Sequence, residues 1–192
     1  MTIDAAFTHF PSLTTSRLLL RQIQPEDAED LFAILSDEES MEFYGHEPQQ
    51  SLDETKELIR QIEERYDRKE ALRWGITLQG EERLIGSCSL FHFDACFDCA
   101  ETGYELNHAF WGKGIMTEAM STILTFGFNE LGLHRVEAII DIANERSKNL
   151  LLKFGFNYEG NLRQRYFLRG EFLDEYYYGL LKDEWQGSVH AQ

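Results

Sequence analysis

An α+β fold is predicted by three observations on the 192-residue sequence. Apolar residues recur at helical spacing in four windows and at extended or alternating spacing in seven others. The extended windows sit mostly next to one another, separated by turn residues such as Gln79, Gly80, Glu81 and Arg169, Gly170, Glu171. Such neighbours pair as antiparallel hairpins, so the central sheet is expected to be mixed and mostly antiparallel.

Arg17 to Ile23 carries the Leu18, Leu19, Leu20 run of a buried strand, and Pro25 then opens a helix with Glu26 and Asp27 in its first turn. Ala28, Leu31, Phe32 and Leu35 form its apolar stripe. Ser51 with Glu54 is a capping box for a second helix, on which Thr55, Leu58, Ile59, Ile62 and Tyr66 share one face. The charges on its other face read as solvated surface. Strands near 73–78 and 83–93 form a hairpin, and 101–106 is a further strand leading into Trp111, Gly112, Lys113, Gly114 and a helix through Met116, Ala119, Met120, Ile123 and Gly127. Val136, Ala138, Ile140 and Ile142 alternate in a strand over 134–142, after which Asn144 caps a short helix that Gly155 closes. Two long strands, 156–166 and 172–181, complete one domain over 1–192, with 1–13 and 186–192 expected as loose tails.

The composition excludes several classes. Hydrophobic residues at 43% and only three prolines argue against disorder. No window offers the roughly 18 consecutive apolar residues of a membrane span, and the N-terminus lacks the pattern of a secretory signal, so a cytoplasmic location is expected. Cys88, Cys96 and Cys99 read as reduced thiols. Eighteen basic against 34 acidic residues give a net charge of -16. That field disfavours direct DNA binding and is compatible with a cationic partner, although solubility alone also accounts for it.

A strand, a tight glycine turn and a helix place unpaired backbone amides around a concavity, where the helix dipole favours an anion. Gly112 and Gly114 carry no side chain to hold a pyrophosphate away, and Lys113 adds charge at the rim. Two glycines at this spacing also fit a plain helix-capping turn. The next unit adds Asn144, Ser147, Leu151 and Lys153 to Phe156, in the spacing N-x-x-S followed by K-x-G-F.

Together with Thr15 to Arg21 and Gly103, Tyr104, Glu105, Leu106, these segments resemble the GNAT superfamily of acetyl-CoA-dependent N-acetyltransferases. Within it they resemble the RimJ/RimL-like branch, which acetylates protein N-termini, typically of ribosomal proteins; the match runs from about Thr14 to Trp185. The resemblance implies a three-layer αβα sandwich, with the strands at 101–106 and 134–142 splayed into a V that admits pantetheine. Acetyl-CoA is implied as co-substrate, with Leu106, Trp111, Gly112, Lys113, Gly114, Ile115, Met116, Thr117, Asn144 and Ser147 binding it. Two positions depart from the superfamily pattern Q/R-x-x-G-x-G/A: Trp111 stands first, and Met116 stands where a small residue is usual. The Met116 side chain is therefore expected to point into the core.

Amide formation needs a neutral amine, a donor to the oxyanion and a proton for the departing thiolate. Many relatives supply that proton from a tyrosine at the position of Leu151, which cannot donate, so Ser147 becomes the candidate; it could instead merely cap its own helix. Glu101 and Glu105 share a face of the strand bordering the proposed cleft and are the candidate bases, Glu101 placed first. An α-amine, titrating near 8, needs little help from any base. No metal is expected, because His92, Cys96 and Cys99 lack a fourth ligand. His108 and His134 read as turn polarity and strand-edge packing, the Tyr176–Tyr178 run as strand, and Asp174 and Glu175 as possible attractors of a cation. The expected acceptor is a protein N-terminus, on a monomeric or homodimeric enzyme; a small amine such as a polyamine or aminoglycoside, or a non-catalytic acetyl-CoA sensor, is the alternative.

Overall fold

The computed structural model describes residues 3–94, 96 and 98–187. A short helix, α1 (Ile3–Ala6), and strand β1 (Leu13–Thr14) precede strand β2 (Leu18–Gln22). A 3-10 turn at Pro25–Asp27 runs into α2 (Ala28–Leu35), and α3 (Leu52–Asp67) follows behind its Ser51 cap, whose hydroxyl accepts from the Glu54 amide. Then come β3 (Ala71–Leu78), β4 (Leu84–Asp94), β5 (Cys99–Leu106), α4 (Ile115–Thr125), β6 (Arg135–Asp141), α5 (Glu145–Lys153), β7 (Asn157–Leu168) and β8 (Glu171–Leu181). The predicted elements are all present, with boundaries shifted by a residue or two. Beyond α4 the chain continues into a five-residue π-helical turn, Phe126–Glu130.

The eight strands form one sheet in the order β1-β2-β3-β4-β5-β6-β8-β7. Every neighbouring pair is antiparallel except β5 with β6. That parallel pairing covers only Cys99–Arg135, Ala100–Val136 and Glu101–Glu137. Beyond it the two strands have no register partners in each other, so the sheet opens in its middle while β4 and β8 continue to pair on the outer sides.

Strand alternation sorts side chains to two apolar clusters. Leu72, Trp74 and Ile76 of β3 join Leu18, Leu20 and the α4 residues Ile115, Ala119, Met120 and Ile123. Ile23 and Leu84 join Leu31, Ile34, Leu35 and Ile59 from α2 and α3. Gly75 shows that the clusters lie on opposite faces: a Cβ there would meet Leu84 and Ile23, away from the side to which Trp74 points. Helices thus cover both faces of the sheet, the αβα sandwich that the family resemblance implied.

The loose N-terminal tail expected over 1–13 is corrected for residues 3–13. Ala6 is buried, Phe7 packs on Tyr66 at 5.3 Å between ring centroids, and Phe10 meets Trp74 at 5.8 Å. The indole of fully buried Trp74 donates to the Pro11 carbonyl at 2.6 Å. This segment covers apolar surface that the sheet would otherwise expose, a long-range contact that local pattern does not announce. Residues 188–192 of the other expected tail lie outside the described residues. No helix among the described residues is long and apolar enough to cross a membrane.

The corner between β1 and β2 is tied to α4 through Glu118. Its carboxylate accepts from Thr15 Oγ1 at 2.5 Å and from Arg17 Nε at 2.6 Å, and also from Ser16 Oγ and the Arg17 amide. Burial pushes the Glu118 carboxyl upward, but these hydrogen bonds and the Arg17 charge outweigh it and hold the group below its ordinary value. Because the folded value is the lower one, the stabilisation is present above the unfolded value of about 4.3 and is lost as pH falls through the folded value. Glu118→Gln should therefore cost about 1.5–3 kcal/mol at pH 7, the range for hydrogen bonds to charged groups. The deficit relative to the parent should shrink toward pH 3. Urea unfolding at the two pH values checks this; a deficit independent of pH would contradict it.

Candidate active site

The polypeptide leaves β5 through a 3-10 turn, His108–Phe110, capped by the Asn107 side chain accepting from the Ala109 amide at 3.0 Å. Gly112 and Gly114 follow with φ of 72° and 73°, a left-handed conformation that suits residues without a Cβ. Gly114 is the N-cap of α4 and supplies no side-chain acceptor, so the first-turn amides of Ile115, Met116 and Thr117 have no acceptor within the helix. Arg17 holds the turn from outside: its guanidinium donates to the Lys113 carbonyl at 2.9 Å while its Nε engages Glu118. Trp111 has a role the sequence pattern did not reveal. Its Nε1 donates to the Leu106 carbonyl at 2.9 Å, at the end of the strand that has lost its β6 partner.

These elements wall a cavity of about 680 Å³. Leu106, Trp111 to Thr117, Asn144 and Ser147 all line it, so the ten residues singled out for cofactor contact are gathered on one surface. Met116 packs partly against the core and also borders the cavity, rather than pointing wholly inward. A Cβ on Gly112 would meet no atom within 4 Å, so the backbone there faces open space. The residues present fit an elongated anionic ligand with its phosphates at the glycine turn.

On the opposite wall, Asn144 caps α5 by accepting from the Ser147 amide at 3.0 Å. The helix ends as Gly155 (φ 87°) and Phe156 return their amides to Leu152 and Leu151. Cap duty belongs to Asn144, and the Ser147 hydroxyl is directed elsewhere: it lies 2.5 Å from the Tyr104 hydroxyl, across from β5. Leu151 is fully buried in the core. Burial also pushes the Tyr104 phenol well above its ordinary range, against the opposing effect of its bond to Ser147, which keeps it neutral.

The two carboxylates named as bases are placed differently from their predicted order. Glu105 lines the cavity, whereas Glu101 does not and pairs with His92 Nδ1 at 3.2 Å. Glu105 is nearly buried and fully engaged. Arg73 donates to it at 2.5 Å, Ser87 Oγ donates to the same oxygen, and the Tyr44 hydroxyl approaches at 3.4 Å. Despite the burial that disfavours its charge, the Arg73 guanidinium is held above its usual range by Glu105 and Tyr44; the Tyr44 phenol is pushed up to about 12, chiefly by burial. The other carboxylate on the wall, Glu39, sits 4.0 Å from Arg146, whose guanidinium stacks on the Trp111 ring at 4.0 Å. Phe43 and Tyr44, from the segment between α2 and α3, complete this wall.

The remaining candidates have ordinary partners. His108 Nδ1 meets Asp37 at 2.9 Å, and exposed His134 accepts the Lys182 amide on its carbonyl at 2.8 Å. Among the described residues no group of His, Cys, Asp or Glu could hold a metal ion. Tyr178 is buried in the core, as a strand residue. Asp174 accepts from Asn161 and the Gln164 amide, both at 2.8 Å, and so secures the bulge in β7 instead of facing the cavity; Glu175 does not line it either. A second hollow of about 830 Å³ adjoins the first through Glu39 and is lined by Glu38, Glu42, Glu47 and Arg169.

Residues 17–157 match the family model described as Acetyltransferase (GNAT) domain. The chain is 38% identical over 173 residues to "Uncharacterized N-acetyltransferase YoaA" of Bacillus subtilis, covering 90% of this chain and 98% of that one. It is 30% identical over 182 residues to "Putative ribosomal N-acetyltransferase YdaF" of the same organism, covering 93% and 98%. It is 25% identical over 154 residues to the spermidine N(1)-acetyltransferase of Escherichia coli, covering 80% of each.

If the glycine turn holds the pyrophosphate, acetyl-CoA stabilises the folded state by mass action, by about 2.7 kcal/mol at a hundredfold excess over Kd, and so raises its melting temperature. Gly114→Trp should abolish that shift while far-ultraviolet circular dichroism remains native. A folded variant with an undiminished shift would show that the turn is not the phosphate site.

Proposed function

The chain belongs to the acetyltransferase (GNAT) domain family and is an acetyl-CoA-dependent N-acetyltransferase, and from that premise we propose that its acceptor is the N-terminal α-amine of a protein such as a ribosomal protein. The observation that carries this reading is the state of the cavity's carboxylates. Glu105 is occupied by Arg73 and Ser87, and Glu39 faces Arg146. Glu105 is thus not free to strip a proton from a strongly basic amine, and Glu39 is an exposed carboxylate at the rim, without a hydrogen bond to Arg146. An α-amine titrates near 8 and a lysine or alkyl amine near 10.4, so the former presents its neutral form with far less assistance. Similarity to YdaF supports the same reading.

In the proposed mechanism the amides of Ile115 to Thr117 and the bare backbone of Gly112 and Gly114 hold the pyrophosphate, with Lys113 at the rim. The extended arm of the co-substrate lies in the gap between β5 and β6, where strand backbone lacks a partner. The acceptor enters along Phe43 and Tyr44. Its nitrogen forms the bond to the thioester carbonyl carbon in a ternary complex, the carbon–sulfur bond breaks with its electron pair left on sulfur, and Ser147 gives sulfur its proton. The proton shed by the acceptor nitrogen passes to water, from which the serine oxygen is restored.

A small polycation as acceptor is the second reading, favoured by the acidic hollow at Glu38, Glu39, Glu42 and Glu47 and by the spermidine acetyltransferase similarity.

Two outcomes test these assignments. Ser147→Ala should lower kcat about a hundredfold, within the range for a positioned acid, with little change in acetyl-CoA affinity. Unchanged turnover would remove Ser147 from the chemistry. With peptides beginning Ala or Ser followed by Lys or Arg, mass spectrometry should place the acetyl group on the α-amine, and N-terminally blocked peptides should be inert. KM should rise with salt as the acidic field is screened, with kcat little altered. Acetylation of internal lysines, or activity confined to spermidine, would reject the α-amine assignment and leave the acetyl-CoA chemistry standing.

A further inference from the structure

The Tyr104–Ser147 contact joins two hydroxyls from different elements, β5 and α5, on the wall of the same cavity as the glycine turn. A serine hydroxyl has one proton and two lone pairs; a neutral phenol has one proton. If Ser147 donated to Tyr104, no serine proton would remain for a leaving group, and the phenol proton would have to find another acceptor. Ser147 is the sole hydrogen-bond partner of the Tyr104 hydroxyl among the described residues. Tyr104 is half-buried and, like buried Ser147, borders the cavity. Either hydroxyl could be the donor, and only one direction is compatible with Ser147 giving up its proton: Tyr104 donates, and the Ser147 proton is left for the cavity.

We propose that Tyr104 is a positioning residue for Ser147, its hydroxyl orienting the serine proton toward the sulfur of the departing thiolate and supporting the serine oxygen as that proton leaves. Tyr104 itself stays protonated throughout. Sulfur takes the Ser147 proton, the serine oxygen shifts negative while it accepts the Tyr104 hydrogen bond, and water returns the proton lost by the acceptor nitrogen. A hydrogen bond to an oxygen gaining charge strengthens as the charge develops, so its contribution falls on kcat and not on binding. The proposal rests on the role given to Ser147 above.

The test is a double-mutant cycle on the full-length protein with acetyl-CoA and whichever amine the panel shows to be acetylated. Tyr104→Phe keeps the ring and removes only the hydroxyl; it should lower kcat about tenfold, the loss of one charge-assisted hydrogen bond. KM for acetyl-CoA and the acetyl-CoA-induced thermal shift should stay near parental values. In the Ser147→Ala background the same substitution should cost nothing further, because the group it orients is absent. Equal losses in both backgrounds would overturn the proposal by showing that Tyr104 acts independently of Ser147. An unchanged kcat in Tyr104→Phe, or a loss confined to KM and thermal stability, would also overturn it and reduce Tyr104 to packing. If Ser147→Ala is fully active while Tyr104→Phe is impaired, the Ser147 assignment itself has failed, an outcome separate from failure of the coupling.

Discussion

A sheet that stops pairing in its centre leaves backbone donors and acceptors that must be satisfied by something other than a neighbouring strand. After three register pairs β5 and β6 part, yet both remain anchored on their outer sides. Closing the gap would require the two halves of the sheet to rotate toward each other, and α4 and α5 already pack against them. The unpaired stretch is therefore a standing demand for an extended partner with its own amide groups. The indole of Trp111 answers one part of that demand at Leu106.

The other half of the site is an electrostatic arrangement held from a distance. Arg17 bonds both Glu118, inside the first turn of α4, and the carbonyl of Lys113, inside the turn itself. One guanidinium thereby fixes the glycine turn to the first strands and leaves the helix amides facing outward. Across the cavity, Arg73 and Glu105 form a nearly enclosed ion pair with Ser87 and Tyr44 filling the remaining hydrogen-bonding positions. Breaking either half would strand the other charge in a poorly solvated place, so the cluster behaves as a fixed piece of the wall.

What could be read from the sequence divides along a physical line. The glycine turn, the Asn144 cap, the Gly155 ending and the strand alternation all depend on residues within a turn or two of each other, so their chemistry is visible as spacing. The cavity wall that carries the glycine turn is made of such local features, and the ten residues named from the sequence all line the cavity. The opposite wall is not. Tyr44, Arg73, Ser87 and Glu105 come from a connecting segment and three strands, and no short-range pattern marks them as one cluster. The same holds for the N-terminal segment, whose docking rests on Trp74 and Tyr66, some 60 residues away. Glu101, ranked above Glu105, lies outside the cavity for a related reason: strand parity puts both on one face but says nothing of how far the cavity extends along it. Tyr104 lay in plain view within Gly103 to Leu106, and only the approach of α5 supplied its partner.

Under the α-amine proposal, the pairing of the cavity's buried carboxylate, Glu105, with Arg73 makes proton availability itself a filter on the acceptor. At pH 7 an amine of pKa about 8 is neutral in roughly one molecule in ten, and one of pKa about 10.4 in roughly one in 2,500. A site that attacks only with the neutral form meets these two populations at concentrations differing more than two-hundredfold, before any side chain touches either. On that proposal, discrimination between the end of a polypeptide and its lysines needs no recognition pocket. It follows from what Arg73 and Ser87 prevent Glu105 from doing.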